Sequence, residues 1–189
     1  MRDFHVRQFP ETGKTACDSK NCACASTAMD IYFGTRGAVV MTAAEVRKAS
    51  GQSCVSGVHT PSGGINIPAI ERVCASKGVD IDFGRASVSY YRRWNSTEVK
   101  GRLSTYWGGH LMGMYSSVKA PWRVHGSTFT GGHSLFAHDL REDLPDSHYD
   151  KVQATVCWHD PLRARPIRVP LSVVIAYTQT SSPLKGFAE

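Results

Sequence analysis

Apolar and polar positions follow a helical period through the first hundred residues and then shift toward alternation. Residues 1–21 are polar and turn-rich, with Pro10 and Gly13, and predict an extended arm. In the segment CACASTAMDIYFG, Cys22, Ala25, Ser26, Met29, Tyr32 and Phe33 share one helical face, with Asn21 as N-cap candidate and Gly34 at the end. Thr42 and Glu45 have capping-box spacing, predicting a second helix that stops near Gly51. A third is predicted over 67–77, with Asn66 as cap, Pro68 in the first turn and Gly78 beyond its end. A fourth is signalled by Asn95 to Glu98 and ends at Gly108-Gly109. Strands are expected at 110–115, 134–140, 151–158 and 167–174, the last interrupted by Pro170. Helices early and strands late predict an α+β fold, an antiparallel sheet packed on one side by helices. Short links leave no boundary, so 1–189 reads as a single domain with an arm (1–21) and a tail (179–189).

Composition narrows the function classes. A chain of 189 residues, 41% apolar and 20% charged, has the make-up of a folded globular domain rather than a disordered segment. The formal charge of +6 suits an anionic partner. The basic clusters, Arg92-Arg93 and the arginines between 163 and 168, are too short for a nucleic-acid footprint. No apolar run reaches the length needed to span a bilayer, and the first residues lack the apolar core of a secretory signal. The expected setting is therefore synthesis in the cytoplasm without membrane insertion.

The six cysteines are few for a disulfide scaffold, yet Cys17, Cys22 and Cys24 crowd together. A thiol at a helix N-terminus meets unpaired N–H groups and the positive end of the helix dipole, which favour the thiolate. Cys22 is placed that way. Cys24, two positions on, points roughly 200° away around the helix. Cys17 reads as a loop thiol, and Cys54, Cys74 and Cys157 as unpaired core or loop thiols suited to a reducing compartment. A nucleophile on a helix tip needs a base from a neighbouring strand and a group to orient that base. His133, opening a strand after Gly131-Gly132, and Asp160, in Trp158-His-Asp-Pro161, can supply them.

Cys22-Ala-Cys-Ala25-Ser-Thr-Ala28-Met29 followed by Tyr32-Phe33-Gly34, the Gly132-His133 strand start and His159-Asp160-Pro161 together resemble the papain-like cysteine peptidases. The resemblance is greatest to the branch that processes bacteriocin leaders, and it spans most of residues 15–178. It implies a papain-like fold, Cys22 as nucleophile, His133 as general base and Asp160 as its orienting group. The family carries an oxyanion-binding Gln six residues before the nucleophile, where this chain has Ala16. Gln8, if the arm folds back, Asn21, Lys20 or the Cys22 N–H are the alternatives. The style of the domain resembles peptidases of bacteriophage lysins and tails, which implies peptide or peptidoglycan substrates and phage tail proteins as partners. The competing expectation is a structural or binding module of such an assembly, its triad vestigial.

A zinc site built from Cys17, Cys22 and Cys24 with His125, His133 or His159 has poor spacing, so no metal or other cofactor is expected. His5, His59, His125, His138 and His148 read as surface or loop residues. Trp94, Trp107, Trp122 and Trp158 read as packing or groove-lining residues, and Asn95-Ser-Thr as a helix cap rather than a glycosylation site.

Overall fold

The computed structural model describes residues 4–82, 96–105, 108–142, 154–178 and 185–188. Helix α1 (Cys22–Gly34) is enclosed nearly all round: ten of its thirteen residues are buried, including Cys24, Met29, Ile31 and Asp30. The expected single apolar face is therefore too narrow a description. The helix is wedged between α2 (Ala43–Ser50), α3 (Ile67–Ala75) and the sheet, and its run of small residues is what lets neighbours approach from several sides. Thr42 forms the full capping box with Glu45, and Asn66 caps α3 through the Ala69 N–H at 3.0 Å.

Among the described residues, six antiparallel strands follow the order β1-β6-β2-β3-β4-β5. They are β1 (Ile81–Asp82), β2 (Gly108–Met114), β3 (Gly132–Glu142), β4 (Ala154–His159), β5 (Ile167–Pro170) and β6 (Lys185–Ala188). Residues assigned to a C-terminal tail thus supply a strand between β1 and β2. The strand expected over 167–174 stops at Pro170, and Leu171–Thr178 forms helix α5. The β-branched run after Pro170 reads as a strand. It folds as a helix because Leu171, Val174 and Tyr177 recur at helical spacing and are buried together. Helix α4 (Ser96–Thr105) is formed as anticipated; Asn95, expected as its cap, along with Arg92, Arg93, Trp94, Trp107, His148 and Lys151, lies outside the described residues.

Helices cover both faces of the sheet, not one. On one side α1, α2 and α3 pack with Phe136 of β3; on the other Val99 and Leu103 of α4 and the buried face of α5 meet Leu111, Leu135, Val156 and Trp158. Alternation in β3 explains the division, since Phe136 faces one layer while Leu135 and Ala137 face the other. The Phe136 ring stacks on Phe33 of α1 at 4.9 Å between centroids. Gly108 allows this, because a Cβ there would stand 2.0 Å from the ring's Cζ.

Candidate active site

The chain enters α1 through a tight turn at Asp18–Lys20. Asp18 stabilises the turn by accepting from the Thr15 N–H at 3.0 Å and the Thr15 hydroxyl at 2.6 Å. Arg47, a buried cation on α2, locks the entry by donating to Asn21 Oδ1 (3.0 Å), the Lys20 carbonyl (2.7 Å) and the Gly64 carbonyl (3.2 Å). Asn21 occupies the N-cap position, but with its side-chain oxygen held by Arg47 it makes no side-chain cap bond. The N–H groups of the first turn therefore keep their electrostatic pull. Burial works against the Cys22 thiolate. The side-chain hydrogen bond and charge of His133, with the Ser134 and Ala23 N–H groups, outweigh it and hold the thiol below its ordinary range.

His133 is the second residue of β3, opposite Gly113 of β2, and Asp160 follows the last residue of β4. Because β3 and β4 are antiparallel, these two positions lie at the same end of the sheet. His133 Nε2 meets Asp160 Oδ1 at 2.8 Å, which leaves Nδ1 for Cys22. Asp160 also accepts from the Leu162 N–H on Oδ1 at 2.9 Å and from the Tyr115 hydroxyl on Oδ2 at 2.6 Å. Burial alone would raise this carboxyl, but those donors and His133 bring it below the usual carboxylate range. Burial would likewise lower His133; Asp160 and Cys22 reverse that and carry it to about 9. Tyr177 of α5 fixes the strand beneath by donating to the His133 carbonyl.

Cys22 and His133 open onto a groove of about 520 Å³. Its walls include Gln8 and Phe9 of the arm, Lys20, Ser62 and Gly64, the 126–132 loop and Leu162. The arm does fold back: the Gln8 N–H donates to the Pro161 carbonyl at 3.1 Å, beside Asp160. Gln8 is 5% exposed, and its Oε1 has no hydrogen-bond partner among the described residues. The structure thus gathers Cys22, His133, Asp160 and Gln8 at one place. Asn21 is turned away, buried under Arg47 and absent from the groove wall. Gln8, fourteen residues before the thiol, lines the same groove as Cys22, a neighbourhood that a search by local spacing does not find.

The remaining thiols separate by environment. Cys17 and Cys54 form a disulfide, with Cα atoms 5.5 Å apart, so neither is the loop thiol read from the sequence. The residues 18–53 between them fold into α1 and α2, whose packing on each other returns the chain to Cys17. Cys24 is fully buried on the far side of α1, and burial pushes its thiol up to about 12. Cys74 is buried in α3 and raised for the same reason.

Two histidine groups escaped the sequence reading. His110 of β2 links Asp30 of α1, at 2.6 Å from its Nδ1, to Ser134 of β3 through Nε2, all within the core. His138, expected at the surface, is 5% exposed and contacts His159 and Cys157, while His5 of the arm packs against His159. Period-2 phase is the signal that was present: Phe136 and His138 share a face of β3, and Cys157 and His159 the matching face of β4. His59 and His125 are exposed as expected, Trp158 is core, and Trp122 is half-buried.

No protein-family model matches the chain, and neither does any curated protein. A solved structure from Bacillus anthracis, provisionally described as a C39-like peptidase, superposes with a TM-score of 0.56 at 10% identity, covering 98% of this chain and 94% of that one. The similarity is one of fold: an α+β papain-like architecture over the whole chain.

Proposed function

We propose that the chain is a thiol hydrolase of peptide or amide bonds. The observation that carries this reading is Cys22 at the tip of α1, hydrogen-bonded to His133, which Asp160 holds by its other ring nitrogen at the wall of an open groove. The lowered thiol and the raised imidazole favour passing the Cys22 proton to His133, toward a thiolate–imidazolium pair. The Cys22 sulfur attacks the substrate carbonyl carbon. The oxyanion that forms accepts from the Gln8 amide and the Cys22 N–H at the helix start. His133 gives its Nδ1 proton to the leaving amine as the C–N bond breaks, leaving a thioester on Cys22. His133 then takes a proton from water, whose oxygen attacks the thioester, releasing the acid and returning the pair to its starting state.

Substrates of the bacterial envelope, peptidoglycan stem peptides above all, are the proposed class; the +6 charge favours an anionic surface. Service in a phage lysin or tail is the setting this reading implies. The groove stands open beside the arm rather than filled by it, which favours a hydrolase over a vestigial binding module.

The test is iodoacetamide labelling read by mass spectrometry, followed by incubation with purified peptidoglycan and assay of newly freed amines. Cys22 is expected to react at neutral pH well ahead of Cys157, and amines to appear only with Cys22 intact. Hydrolysis should rise with pH as Cys22 ionises below its ordinary value of 9 and fall again near 9 as His133 loses its proton. Labelling needs only the thiolate and should persist past that point. Equal labelling of the two cysteines would refute the activated thiol; labelling without amine release would refute the substrate class.

A further inference from the structure

The second histidine group, away from the groove, has the make-up of a metal site. His138 and Cys157 are direct cross-strand partners on β3 and β4, and His159 lies two residues on from Cys157 on the same face. His138 Nε2 and His159 Nε2 are 2.9 Å apart, Cys157 Sγ and His159 Nε2 are 3.4 Å apart, and all three donor atoms fall within 4.8 Å of one another. Ligands of a tetrahedral zinc ion, at about 2.0–2.3 Å from the metal, stand roughly 3.3–3.6 Å from each other. The two separations at His159 stand close to that spacing, and the third is no more than 4.8 Å.

The surroundings favour a ligand role. His5 Nε2 lies 3.0 Å from the Arg163 carbonyl, which can only accept, so that nitrogen carries a proton. In the neutral ring His5 Nδ1 is then an acceptor, and at 3.4 Å it faces His159 Nδ1, which donates. This relay leaves a lone pair on His159 Nε2, pointed at Cys157 and His138. A histidine held from behind by a hydrogen bond on its second nitrogen is the ordinary arrangement of a metal-ligating imidazole. Phe33 and Phe136 pack against the imidazoles and limit water. The neighbouring cation, Arg168 of β5, is occupied by Asp139 and Thr155.

We propose that His138, Cys157 and His159 bind a zinc-class divalent metal ion, with a fourth position for water and His5 as the positioning residue behind His159. Binding forms one metal–sulfur and two metal–nitrogen bonds and releases the Cys157 thiol proton to solvent. Through His5 the ion ties the arm that carries Gln8 to the end of β4 that carries Asp160. The site departs from the expectation of no metal and from the sets first considered around Cys17, Cys22 and Cys24. It stands apart from the chemistry of Cys22.

The experiment uses untagged full-length Cys22→Ser protein, which lacks the groove thiol, after dialysis against chelator. Titration with Co²⁺ should give one equivalent with tetrahedral visible bands and a thiolate charge-transfer band, both displaced by Zn²⁺. Cys157→Ser in that background should lose the charge-transfer band, and His5→Gln should weaken Zn²⁺ binding about tenfold. A sulfur band that survives Cys157→Ser, or no stoichiometric binding, would overturn the site. Should Cys157→Ser fail to fold, zinc-edge X-ray absorption on the Cys22→Ser protein decides directly: one sulfur and two imidazole nitrogens are expected, and a shell without sulfur rejects the proposal.

Discussion

Among the described residues, two arrangements share the make-up of a thiol or hydroxyl, a histidine and an aspartate. Cys22–His133–Asp160 stands at the groove; Ser134–His110–Asp30 is sealed between α1, β2 and β3. Both aspartates are fully buried, yet their carboxyls shift in opposite directions. Asp160 has the Tyr115 hydroxyl, the Leu162 N–H and His133 as donors, and together they overcome desolvation. Asp30 has His110 on one oxygen, while the other has no hydrogen-bond partner among the described residues, so desolvation prevails. The constellation alone does not make a site. The donors around the acid, and a path for substrate to the nucleophile, separate chemistry from architecture.

The sharpest way to break this contrast is to remove each nucleophile. Cys22→Ala should cut hydrolysis by about 10⁴-fold or more, whereas Ser134→Ala should leave turnover within about tenfold and show its effect in a thermal melt. Steady-state kinetics on the two variants would reverse the assignment if Ser134→Ala were the silent enzyme. Next in size, Gln8→Ala should lower kcat by about 100- to 1,000-fold with KM little changed, as expected for a donor used in the transition state. A change confined to KM would make Gln8 a wall of the groove only. On the architectural side, Asp30→Ala should destabilise the fold by about 3 kcal/mol, because it strands His110 in the core. Asp30→Asn, closer in shape to the protonated acid, should cost less, and denaturant unfolding compares the two. The smallest effect is expected from Tyr115→Phe. Losing one of the donors on Asp160 should cost about 1 kcal/mol, roughly fivefold in rate, with the fold intact by circular dichroism.

Much of the frame was legible in the sequence, because caps and periodicity act locally. The Thr42–Glu45 box and Asn66 mark their helices through side chains only three residues from what they bind. Cys22, His133 and Asp160 were picked out by their places at the ends of elements; antiparallel pairing of β3 and β4 brings the last two together, and packing of α1 on β3 adds Cys22. What escaped depends on distance in sequence. Gln8 reaches the groove because its backbone bonds to Pro161, near the other end of the sequence. The Val173-Val174-Ile175 run has strand propensity, and only packing of α5 on the second sheet face makes it a helix. His138 looked exposed because the phase of β3 has no local signal telling which face α1 covers.

The disulfide between Cys17 and Cys54 has a consequence for handling the protein. It closes a span of 37 residues, a constraint that contributes about 4 kcal/mol in the chain-entropy account. Five positions from its first half-cystine sits a thiol that must stay reduced to react. A reducing agent strong enough to rescue an oxidised Cys22 also threatens the bond that closes the loop containing it. Activity plotted against reductant concentration should therefore climb, reach a plateau and decline. In Cys17→Ser/Cys54→Ser protein, the decline should vanish and the plateau should sit lower.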